Sequence, residues 1–160
     1  MFAPRPLDVV REMVRVTRPG GRIVMGNWIP GDPTLVAQIL RISSAYTPPP
    51  PEGFVSPMTW GDESIVHERF EAAGIAASNV QFQRSTWFFR QPGTAVDLLR
   101  TFRDFYGPTM NAFEAAAKTG REAELEAELT DLFNDQNRGA ERTEIPATFL
   151  KVTVNKESAA

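Results

Sequence analysis

Arg18-Pro19-Gly20-Gly21-Arg22 is the stretch that leaves this chain the fewest choices. Upstream, Leu7, Val10, Met13 and Val14 recur at helical spacing, so Pro6 to about Val16 reads as an amphipathic helix. Pro19 lacks a backbone N–H and biases Arg18 away from helical dihedrals, which stops that helix. Gly20-Gly21 supply the positive-φ freedom for a tight reversal. Arg22 to Trp28 then forms a short, largely apolar run of strand length. The spacing predicts helix, tight turn and buried strand, one αβ unit of a parallel sheet.

The rest of the chain carries similar punctuation. Ile29-Pro30-Gly31-Asp32-Pro33 is a turn cluster, with Asp32 expected as the N-cap and Pro33 in the first helical position. Leu35, Val36, Ile39, Leu40 and Ile42 continue that helix to about Tyr46. The four prolines from Pro48 to Pro51 form a stiff extended loop. Asp62 or Ser64 caps a helix bearing Ile65, Val66, Phe70 and Ala73, which stops at Gly74. Val80 to Arg90 alternates as a strand, and Pro92-Gly93 ends it. Thr94 opens a helix through Leu98, Leu99, Phe102 and Phe105, broken by Gly107-Pro108. Two more follow, separated by Gly120. The last turns Leu125, Leu129, Leu132 and Phe133 inward, and its glutamates form a solvated face. Thr148 to Val154 closes the chain as a strand.

Composition excludes several function classes. Seventeen basic against twenty acidic residues leave a net charge of −3 with no basic block, so nucleic-acid and anionic-membrane binding lose their electrostatic footprint. Without cysteine there is neither a disulfide nor thiolate chemistry, and one histidine, His67, does not make a histidine-based metal site. Residues 1–6 hold two prolines and an arginine instead of the apolar core of a signal peptide, and no apolar run approaches bilayer length. The expectation is a cytoplasmic chain with a single domain over residues 1–160, residues 156–160 being a frayed tail.

The ordered series of motifs carries a resemblance. Met1-Phe2-Ala3-Pro4, the first helix, the Pro19-Gly20-Gly21 turn and a strand ending Asn27-Trp28 resemble the second half of a class I S-adenosylmethionine-dependent methyltransferase. The branch is the one similar to ubiquinone/menaquinone-biosynthesis C-methyltransferases. Ser56-Pro57-Met58-Thr59-Trp60-Gly61, Phe105-Tyr106-Gly107-Pro108-Thr109 and Ile145-Pro146 to Phe149-Leu150 extend it over nearly the whole chain. The resemblance implies an α/β fold: a partial Rossmann-like sheet of three strands in the order 5-7-6 of the parent fold, the last antiparallel. Five or six helices would accompany it. Residues 93–142 would be a helical insertion between the last two strands, covering the strand ends as a lid together with the Leu35–Tyr46 helix.

That family holds its cofactor with a glycine-rich loop after its first strand, and the loop is missing here: Gly20-Gly21 precede a strand. The resemblance therefore implies S-adenosylmethionine as the parent cofactor, with none bound tightly by this chain and no cofactor-binding residue assigned. The chain reads as a C-terminal portion, inactive alone; the alternative is a non-catalytic small-molecule-binding or dimerisation module derived from the family. By resemblance Phe2, Asn27, Trp28, Trp60, Trp87 and Tyr106 line a pocket for a small apolar or aromatic acceptor, with Trp28 and Trp60 at one cavity. His67 is read as a surface residue, and no catalytic residue is assigned. An unpaired edge on the Arg22–Trp28 strand points to a homodimer.

Overall fold

A computed structural model describes residues 3–158. Six α-helices and three strands follow the order α1 (Pro6–Val16), β1 (Arg22–Trp28), α2 (Leu35–Ser44), α3 (Glu63–Glu71), β2 (Val80–Pro92), α4 (Ala95–Phe105), α5 (Gly107–Lys118), α6 (Glu122–Gln136) and β3 (Arg142–Asn155). Short 3₁₀ turns cover Pro57–Gly61 and Ala77–Asn79. The strands form one open sheet in the order β1-β3-β2, so the chain is α/β as expected. β1 runs antiparallel to β3, from Arg22 opposite Asn155 to Trp28 opposite Phe149.

The molecule resolves into two units. One comprises the chain up to Pro30, Glu52–Ser85 and the chain from Phe149 on; the other comprises Gly31–Pro51 and Thr86–Thr148. β2 and β3 each run without a break from one unit into the other.

The first unit packs α1 and α3 on one face of the sheet. Its core joins Val10, Val66 and Phe70 of the helices to Val80, Leu150, Val152 and Val154 of the strands, with Ile29, Trp60 and Ile75 from the connections. The α1–β1 turn is as the sequence implies: Pro stands at the helix start, and Gly20 takes φ +68°. Lys156 completes the exit of α1 by donating from Nζ to the carbonyls of Val14 and Thr17 at 2.8 and 2.7 Å. A cation placed there meets two otherwise orphaned carbonyls and the negative end of the helix dipole. β1, by contrast, is not a buried strand. It lies at a sheet edge, and Val24 is 51% exposed.

The second unit is a cluster in which α2 packs on α5 and α6, and α4 packs on α5 and α6. Leu35 and Ile39 of α2, Phe113 of α5 and Leu125, Leu129 and Phe133 of α6 are buried. Phe102 of α4 meets Phe89, Tyr106 and Phe133 edge to face at 5.3, 5.3 and 5.6 Å, the arrangement that ring quadrupoles favour. Thr94 and Asp97 form a complete capping box at the start of α4. At α2 the cap is Thr34, not Asp32: Asp32 Oδ1 instead accepts from the backbone N and the hydroxyl of Thr34, and the helix starts at Leu35. β3 begins at Arg142, six residues before the expected Thr148.

Candidate functional site

Successive strand residues point to opposite faces, so the register fixes what each sheet face presents. On the core face of the first unit, Ile23 stands opposite Val154 and Met25 opposite Val152, both apolar pairs. One step further along, Asn27 stands opposite Leu150. Contacts of Thr86 with Thr148 and of Arg90 with Glu144 give the antiparallel β2–β3 register, which continued along the strands brings Arg84 beside Leu150. The apolar face thus ends in a row that reads amide, leucine, guanidinium.

A cleft of about 410 Å³ opens on this row. Leu150 and Arg84 line it from the sheet, Ile29 and Pro30 from the end of β1, and Gly61, Asp62, Glu63 and Ser64 from the start of α3. Gly61 is required for this wall: a Cβ there would lie 2.0 Å from the carbonyl oxygen of Trp28. Asp62 caps α3, its Oδ1 accepting from Ser64 N, Ser64 Oγ and Ile65 N at 3.0, 2.6 and 3.2 Å. The Ser64 hydroxyl and these amides hold its carboxyl below the usual aspartate range, so it stays anionic.

Asn27 is 5% exposed, and its Nδ2 has no hydrogen-bond partner among the described residues. It stands opposite Leu150 and two residues before Ile29, both of which line the cleft. Arg69 of α3 is 9% exposed, with its guanidinium 4.7 Å above the Trp60 ring. Its Nη2 donates to Thr59 Oγ1 at 2.7 Å, while Nη1 is buried without a partner. Burial lowers its pKa, against the opposing pull of the Asp62 charge. Arg84 is exposed and makes no ion pair among the described residues.

The residues read from sequence as pocket-lining separate. Asn27 is buried opposite Leu150 and is not among the residues that line the cleft. Trp28 faces the other side of the sheet, edge to face with Phe149 at 6.4 Å, whereas Trp60 is buried in the core with Leu150 and Val152. The two tryptophans therefore do not share the expected cavity, because alternation along β1 sends neighbours to opposite faces. Trp87 and Tyr106 belong to the second unit; Trp87 is 59% exposed and Tyr106 packs on Phe102. Phe2 lies outside the described residues. His67 is half-buried, not on a solvated side, and its ring meets Phe82 edge to face at 4.8 Å. Arg84 and Arg69 gave no signal in the sequence; only the register and the return of α3 onto the Pro57–Gly61 turn single them out.

The described residues do not fit the methionine-derived cofactor of the resembled family. Gly20 N is bonded to Glu157 O and Gly21 N to Arg18 O, so this turn has no free amides to offer. The two loops that lead from strand to helix carry one glycine each, Gly31 and Gly93, and Asp32 and Asp97 already take the amides of Thr34 and Thr94. Nor do the described residues hold three acids or histidines grouped to bind a metal. The α6 glutamates are instead paired: Glu122 and Glu126 with Arg103, Glu124 with Arg121, and Glu128 with the Tyr46 hydroxyl at 2.6 Å. Among the described residues no helix is long and apolar enough to cross a membrane.

No family model matches the chain. Over 133 residues, 82% of its length, it is 32% identical to an uncharacterized protein of Mycobacterium bovis and to uncharacterized proteins of two Mycobacterium tuberculosis strains. The match covers 47% of each, so the chain spans about half the length of the curated relatives it matches.

Proposed function

We propose that this chain is the C-terminal portion of an S-adenosylmethionine-dependent methyltransferase acting on a small apolar or aromatic acceptor. The strand order supports the reading: β3, last in sequence, lies between β1 and β2 and runs antiparallel to β1. A simple meander would place β2 in the middle, whereas the 5-7-6 order implied by the resemblance places the last strand there. The length of the mycobacterial relatives beyond the matched stretch leaves room for a cofactor-binding half. In such an enzyme the cofactor supplies the activated methyl group; the protein aligns the acceptor and excludes water. This chain's share is the acceptor side. Isothermal titration with S-adenosylhomocysteine tests the reading. The 160-residue chain should show no low-micromolar binding, and a full-length mycobacterial relative should bind. Failure of the full-length relative to bind overturns it.

One observation favours a second reading, a non-catalytic dimerisation module of the same descent. β1 is an edge strand without lysine or proline, and Val24 on it is half exposed. The same strand of a second copy could pair with that edge and bury more than about 1,000 Å² in total. Light scattering at micromolar concentration decides between the mass of two chains, which this reading requires, and that of one.

A further inference from the structure

We propose that the four prolines at 48–51 are a docking motif, presented as a preformed polyproline II segment to a protein partner whose surface carries an aromatic-lined groove with a basic rim. This interaction is separate from the proposed function and does not depend on it.

Three observations support it. First, covalent geometry fixes the shape of the segment. Each proline ring holds φ near about −65° and pushes the residue before it to an extended ψ. With trans peptides throughout, residues 47–51 are left with the polyproline II form. That helix repeats every three residues and rises about 3.1 Å per residue, so Pro48 and Pro51 are the one pair on a common face, about 9 Å apart. Second, the fold does not use the segment. All four prolines are exposed, and among the described residues no hydrogen bond reaches their carbonyls. Rings and carbonyls are what a proline groove reads: aromatic faces stack on the rings, and an indole N–H or phenol O–H donates to the carbonyls. The prolines lie in a connection, residues 45–56, with neither helix nor strand, and loops of about twelve residues or more are uncommon unless they serve a function. Third, the root of the segment is clamped. Tyr46, two residues before the first proline, is buried; its hydroxyl donates to Glu128 at 2.6 Å, and the Arg121 guanidinium lies 4.2 Å above its ring. Arg121 Nη1 also donates to the Ala45 carbonyl at 3.3 Å. A segment held at its root and stiff beyond it loses little conformational freedom on docking. Glu52, exposed and directly after the last proline, is the one charged residue in 45–56, which calls for a cation on the facing rim of the groove.

The test adds the unlabelled 160-residue chain to an isotope-labelled WW domain that reads uninterrupted proline runs and carries a basic residue beside its groove, followed by amide correlation spectra. The expected result is saturable shifts confined to the aromatic groove of the domain and reversed by free decaproline. Two double variants separate docking from stiffness, since each removes two rings from the run. Pro48→Ala with Pro51→Ala should weaken binding at least fivefold more than Pro49→Ala with Pro50→Ala, and both should melt at the same temperature. Lack of saturation at millimolar chain, shifts outside the groove, or equal weakening by the two variants overturns the proposal. Unchanged binding with a lowered melting temperature in both variants overturns it too, because the prolines would then serve only as a spacer within the fold. No methyl donor is present, so this outcome is independent of the titration that tests the methyltransferase reading.

Discussion

The two units handle polar groups in different ways. In the helical unit, ionic groups find partners nearby: Arg103 bridges Glu122 and Glu126, Arg121 holds Glu124, and Tyr46 donates to Glu128 while Arg121 lies 4.2 Å above its ring. Its buried unpartnered atoms are the Ser43 and Thr109 hydroxyls and the Gln136 carbonyl oxygen. Helix hydroxyls can turn back to a carbonyl one turn earlier, so leaving them without a fixed partner costs little. Among the described residues of the sheet unit the buried unpartnered atoms are nitrogens of Asn27 on β1 and of His67 and Arg69 on α3. An amide and a guanidinium are far more expensive to desolvate. Of the helical unit's pairs named above, most form between packed segments, Arg103 of α4 and Tyr46 beyond α2 both reaching α6, and only Arg121 and Glu124 pair at a spacing of three residues. A sheet row offers only its cross-strand neighbour, which for both Asn27 and Arg84 is the aliphatic Leu150.

The hardest test of this contrast is whether the units unfold separately. Phe70→Ala in the sheet unit and Phe133→Ala in the helical unit each remove a fully buried ring, at a cost of about 3–5 kcal/mol. Because β2 and β3 run through both units, both substitutions should lower one common thermal transition. Two calorimetric transitions, each sensitive to one substitution, would break the picture. A smaller effect should have opposite signs in the two units. Arg69→Met removes a buried guanidinium that has no carboxylate partner, so chemical denaturation should show a gain of about 1 kcal/mol. Arg103→Met strips two glutamates of their cation and should lose about 0.5–1 kcal/mol. Loss in both cases would mean that the bond to Thr59 and the stacking on Trp60 outweigh the cost of the buried, unpartnered Nη1.

The smallest effect is one of pH. Burial first, and then the bond to Glu128, push the Tyr46 hydroxyl up to about 12 from its ordinary 10.0. A raised folded pKa means that the folded protein holds the proton more tightly. The stabilisation is therefore complete below pH 10 and disappears as pH rises from 10 to about 12. Thermal melts across that range should show an alkaline fall that Tyr46→Phe reduces.

Much of the fold was legible because its boundaries are chemical. Pro19 with Gly20, the Asp62 cap, the helix opening at Thr94 and Gly107-Pro108 each act within a few residues and need no tertiary information. The front of β3 was missed because Pro146 argues against a central strand. The register explains the exception: β1 ends at Trp28, opposite Phe149, so Pro146 lies beyond the last β1 pair and no ladder bond to β1 is lost there. The capping of α2 was misplaced by two residues because Asp32 and Thr34 are both good caps, and only the structure shows the aspartate serving the threonine. At the site, the resemblance pointed to Asn27, which is buried beside the cleft-lining Leu150 without lining the cleft itself. Arg84, an exposed arginine on a strand, acquires meaning only once Leu150 is known to stand between it and Asn27.

Gly61 has a consequence for how the cleft behaves with a ligand. Backbone meets backbone there, with no side chain in between to change rotamer, so the wall cannot loosen by the usual side-chain motions. The capping bonds of Asp62 pin the next residue of that wall to the first turn of α3. What a ligand in the cleft would have to order is therefore on the other side, the exposed side chains of Arg84 and Glu63, while the Gly61 wall is set before it arrives.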